Sequence, residues 1–212
     1  MKSSVALKTL VGAATLALPL MAYAESNVQT GAATNSPGAT AHVDFSIVIP
    51  KILYLRVGTG STYATGNLTT NGAIDLITFS PTAAQLGSGT AIAGVGGDLT
   101  GGVETAAIVS NSGNVTLNAT ATGPLTNGLG DSIPFSQITT TATTLTSGTA
   151  LPAPTLTNTT SANVLLTAPG TKVIVQDAKW TFAYANSAFV PTGTYGGVNT
   201  NGGRVVYTAT MP

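Results

Sequence analysis

KVIVQDAKWTFAY, residues 172–184, sorts its side chains onto two faces. Trp180, Phe182 and Tyr184 fall on one side, and Lys179, Thr181 and Ala183 on the other. A period of two is what a strand with one buried face imposes. The same texture recurs on both sides. Upstream it is seen in residues 41–49 (AHVDFSIVI), 52–57 (ILYLRV), 73–79 (AIDLITF), 103–109, 115–121 and 163–167, and downstream in residues 204–211. Pro50 separates the first two runs and predicts a bend or an edge position, because it has no ladder hydrogen bond to donate. Clusters of Gly, Asn, Pro and Ser lie between the runs, as at residues 58–61, 94–97 and 199–203, and supply turn conformations.

Thr and Val are abundant, and their branched Cβ suits a pleated surface. Helical spacing finds little support beyond one turn over residues 81–86 (PTAAQL). Short strands divided by turn signals predict an all-β protein, a single immunoglobulin-like β-sandwich, with a barrel as the rival architecture. An outer-membrane barrel needs longer, aromatic-girdled strands, whereas aromatics make up 6% of this chain. The Thr-rich stretch 139–160 reads as a long surface loop or an irregular edge strand, not as a linker between domains.

The N-terminus reads as an export signal. Lys2 and Lys8 precede an apolar run, residues 10–21, and Ala22-Tyr23-Ala24 offers the small residues that a signal peptidase accepts. The run is shorter than the roughly 20 residues of a spanning helix. The expected organisation is therefore a signal peptide at 1–24, a flexible leader at 25–40 and a sandwich at 41–212. The expected location is the periplasm, cell surface or extracellular space. From Glu25 onward, five Lys and Arg face seven Asp and Glu, so nothing marks a surface for nucleic acid. The chain has no Cys, so its stability must come from an apolar core.

Candidate chemistry is sparse. His42 is the single His, placed beside Asp44 on the polar face of the first strand, with no nucleophile motif to complete a triad. One His without Cys does not build the usual zinc site. The Gly- and Asp-containing loop 94–100 occurs once, whereas calcium-binding β-rolls repeat such a unit. Asp75, Glu104, Asp131 and Asp177 are scattered, and spacing alone pairs none of them as a hydrolase would need. Sequons at Asn67, Asn114, Asn118 and Asn158 are expected by chance in a Thr-rich chain. Trp180 reads as a core residue. No catalytic residue, cofactor or metal is expected.

The tail, residues 193–197 (GTYGG) followed by 203–212 (GRVVYTATMP), resembles the ends of bacterial secreted immunoglobulin-like sandwiches, among them fimbrial subunits and WxL-type surface domains. The resemblance extends to residues 41–57 and covers a minor part of the chain. For fimbrial subunits it implies polymerisation in which an N-terminal extension, here residues 25–49, completes the sandwich of the next subunit. The chain departs from those families in lacking a Cys pair, in placing Tyr207 further from its end, and in having Trp180-Thr181-Phe182 where W-x-L would stand. The expected function is non-enzymatic: a secreted or surface structural or adhesion protein, fimbria-like, associating with itself or with other surface proteins. The alternative is a module binding glycan or another small ligand, for which Trp180 or Tyr184 would have to be exposed.

Overall fold

The computed structural model describes residues 25–32, 38–58 and 68–212. The expected signal peptide and the sequon at Asn67 lie outside them. The chain divides into two units, Met1–Ile49 and Pro50–Pro212.

In the first unit the described residues form no strand. The alternation of residues 41–49 predicted a half-buried strand. The structure instead leaves the segment unpaired, with Val43, Phe45, Ile47, Val48 and Ile49 all at least 74% exposed. Its pattern is that of a strand, but no strand among the described residues pairs with it. His42 does not meet Asp44; its Nδ1 lies 2.8 Å from Glu25 Oε2, in solvent.

The second unit is all β, with strands β1 (Leu53–Val57), β2 (Ile77–Thr78), β3 (Ile92–Ala93), β4 (Val95–Gly96), β5 (Val103–Ser110), β6 (Val115–Ala121), β7 (Leu125–Thr126), β8 (Ser132–Ile133), β9 (Ile138–Thr143), β10 (Val164–Leu166), β11 (Ile174–Tyr184) and β12 (Val205–Thr210). One antiparallel sheet runs β1-β5-β11-β3, with β9 on the other edge of β11; the second runs β10-β6-β12. β2-β4 and β7-β8 are two-residue ribbons.

The two sheets form a β-sandwich around one main core. From the first sheet come Ala106, Ile108, Ile174, Ala178, Trp180 and Phe182, and from the second Val115, Leu117, Ala119, Ala121 and Leu166. The alternation read from residues 172–184 is realised: Trp180 is fully buried, Phe182 and Tyr184 nearly so, and Lys179 exposed. β6 alternates buried and half-buried along its whole length, as its Val-Thr-Leu-Asn-Ala-Thr-Ala sequence predicts.

Of the two readings of the Thr-rich stretch, a surface loop or an irregular edge strand, its start takes the second and its remainder neither. Its start is the strand β9, paired with β11 from Thr143↔Lys179 to Ile138↔Tyr184. Its remainder folds back against the sandwich and buries Leu151, Pro154 and Leu156. Residues 81–86 form no α-helix. Gln85 N–H donates to Thr82 O at 2.9 Å and Ser88 N–H to Gln85 O at 3.0 Å, making consecutive turns.

Candidate functional site

Within Pro50–Pro212, a groove of about 870 Å³ runs between the two sheets at one side of the sandwich. β1 forms one bank and the start of β12 the other. Each strand is paired on one side only, β1 to β5 and β12 to β6; among the described residues nothing pairs with their other edges. β1 and β12 also approach one another directly, and the groove lies along that approach. The floor is the main core itself, through Phe135, Leu156 and Phe182. Leu53, Leu55 and Val57 point inward from β1, and Val205 and Tyr207 from β12. Residues 68–77 line the groove as well, with Ile74 and Leu76 exposed.

One end of the groove carries charge. Glu104 opens β5 on its inward face, in register with Trp180, and is 5% exposed. Two of the acids that looked scattered in sequence meet here. A Cβ built on Gly58 would lie 2.7 Å from Asp75 Oδ2 and 2.8 Å from Glu104 Oε2, so both carboxyls converge over that glycine. Gly58, at φ +80°, is the residue type that allows both the approach and the backbone angle.

Burial raises the Glu104 carboxyl to about 7, the Asp75 charge adds to the rise, and the Asp98 N–H bonded to Glu104 Oε2 at 3.4 Å partly offsets it. Asp98 is itself held on the outer side. Its carboxylate accepts from Thr105 N–H at 2.7 Å and from the Thr105 hydroxyl, and it pairs with Arg56 Nη2 at 3.3 Å. Asp98 thus ties the loop 94–100 to β1 and β5. Among the described residues no three His, Asp or Glu are grouped so as to hold a metal ion.

The other candidates resolve into structural roles. Asp131 accepts from Asn127 Nδ2 at 2.8 Å. Asp177, fully buried, accepts from Thr146 N–H at 2.9 Å, Ser147 N–H at 2.8 Å and both hydroxyls. Asn114 accepts from Ala168 N–H, Asn118 donates to Asn163, and Asn158 accepts from Phe135 N–H. Trp180 donates its indole N–H to Leu151 O at 2.8 Å and packs at 5.3 Å on Tyr207, whose hydroxyl burial holds protonated well above its usual range.

Sequence reasoning named neither the groove nor the Asp75–Glu104 pair. The groove depends on which strand edges stay free, a property of topology. A glutamate on the core face of a strand, in V-E-T-A-A-I-V, was the one signal available. Compared with family models, curated proteins and solved structures, the chain gives no match.

Proposed function

We propose that this chain is a non-enzymatic, exported, fimbria-like structural subunit, in which residues 41–49 of one copy enter the groove of the next. The carrying observation is complementarity between two unsatisfied parts. The groove offers strand edges that, among the described residues, no further strand pairs, above an apolar floor. The segment offers Val43, Phe45, Ile47 and Ile49 on one face, unpaired and exposed. A strand laid into the groove alongside one of these edges drives alternate side chains toward the core. Burying each large apolar side chain contributes about 1.5–3 kcal/mol.

Two observations weigh against other classes. Trp180 and Tyr184 are both buried, so the aromatic platform that a glycan-binding module would use is missing from them. Asp75 and Glu104 do converge, but they close on one another over Gly58. Glycoside hydrolysis needs carboxyls at least about 5 Å apart, with the scissile bond between them.

The test is electron microscopy of producing cells, labelled with antibody against the chain. The native chain is expected to decorate filaments, and the F45D/I47D double variant to be exported, folded by circular dichroism and absent from filaments. A variant that assembles as well as the native chain refutes the reading. So does a native chain recovered only as monomer.

A further inference from the structure

The charged end of the groove joins two pieces of chain that no strand pairing links. Glu104 belongs to β5, whereas Asp75 belongs to the 68–77 stretch that lines the groove. Within that stretch only Ile77 enters a ladder, with Gly96 of β4. Asp75 is half-buried between exposed Ile74 and Leu76, so its carboxyl is aimed inward, toward Glu104, from an otherwise exposed segment.

We propose that Asp75 and Glu104 act as a proton-operated fastening. With one proton shared between them, they tie the 68–76 stretch to the end of β5 and narrow the groove. Without it, two like charges over Gly58 push that stretch away and open the groove to an incoming strand. The inference rests on the groove's being the docking site and assigns that site a control.

The surroundings favour a single-proton device. Among the described residues, the groups that act on or contact Glu104 are Asp75 on the lining stretch, Asp98 before β5 and Tyr207 on β12, and Arg204 also lines the groove. Arg56 of β1 is engaged on the outer side by Asp98, the Thr105 hydroxyl at 2.8 Å and Gly58 O at 3.1 Å. Tyr207 stays neutral over the working range. Removing the proton from Glu104 adds a negative charge beside Asp75. The Glu104 carboxyl, raised by burial and by Asp75, releases its proton near pH 7, so the fastening is closed in mild acid and open in mild base.

Hydrogen exchange read by mass spectrometry on the full exported chain tests this at pH 5.5 and pH 8, after correction for intrinsic exchange. Residues 68–76 of the native chain are expected to exchange about tenfold faster at the higher pH. Glu104→Gln keeps a hydrogen-bond donor to Asp75 without the charge and should stay slow at both. Asp75→Asn, which removes the repulsion from the other side, should lose the pH response as well and serves if the first variant folds poorly. Equal corrected rates for the native chain at the two pH values overturn the proposal, as does a native-like pH response in both variants. A fluorescent peptide of residues 41–49 is added in parallel and should associate faster at pH 8. Exchange that responds to pH without peptide binding at either pH upholds the fastening and refutes the docking reading.

Discussion

Asp177 and Glu104 are carboxyls on neighbouring strands with opposite preferences. Burial would raise Asp177, but the N–H groups of Ser147 and Thr146 and their two hydroxyls bind the charged form, and the balance lowers it from 3.8 to about 2. Its contribution is complete above its unfolded value and is lost as pH falls through about 2. Glu104 has the reverse sign. Raised from 4.5 to about 7, it favours the fold fully below its unfolded value, and that advantage is lost as pH rises through about 7. Stability should therefore peak in mild acid, between the two ranges. Asp177→Asn should flatten the acid limb and lower stability by about 2 kcal/mol at neutral pH, as read by urea melts across pH. An acid limb unchanged by the substitution would assign acid unfolding to other groups.

At this scale the sequence was partly legible. Trp180 was readable as core because its neighbours Phe182 and Tyr184 share its face. Asp177 was not, because its partners Thr146 and Ser147 stand 31 and 30 residues away in a stretch of low complexity.

Among the elements, the longer strands were visible because β5, β6, β11 and β12 carry enough residues for a period to show. The two-residue strands β2, β3, β4, β7 and β8 carry none. The Thr-rich stretch was legible only in part, as an edge strand at its start, for a related reason. Threonine marks either a surface loop or a strand, and the few apolar residues within residues 144–160 decide the matter. Leu151 is fully buried, and its carbonyl accepts the Trp180 indole N–H while its own N–H donates to Asp177 O at 3.0 Å. It pins the loop along an edge of β11. Leu151→Ala should cost about 2–5 kcal/mol by leaving a cavity beside Trp180. Phe189→Ala, in an exposed loop, should change stability by less than about 0.5 kcal/mol. Similar losses from both, in denaturant melts, would contradict the packing described. Residues 41–49 show the limit of pattern reading from the other side. Alternation predicted a strand, but it does not say whose sheet the strand joins.

For the molecule as a whole, the described part of Pro50–Pro212 is a sandwich left open along one side. On the proposed reading, strand edges that pair with no further strand among the described residues, together with an exposed strand-patterned segment, make the chain complete only in an assembly. Open edges of this kind invite pairing, and supplying a matched strand from another copy directs that pairing into one geometry. The all-β class was legible from alternation and turns. The opening was not, because a missing neighbour leaves no trace in the residues on either side of the gap. The Asp75–Glu104 pair adds a condition under which the opening is available.

The central claim is that residues 41–49 of one copy occupy the groove of another. The most direct measurement is photocrosslinking with a benzoylphenylalanine placed at position 45, in an equal mixture of isotopically heavy and light chains. The account predicts crosslinks joining heavy to light copies, mapped by mass spectrometry to β1 or to residues 205–207 of β12. Crosslinks confined to single copies, or mapping away from both strands, would contradict it.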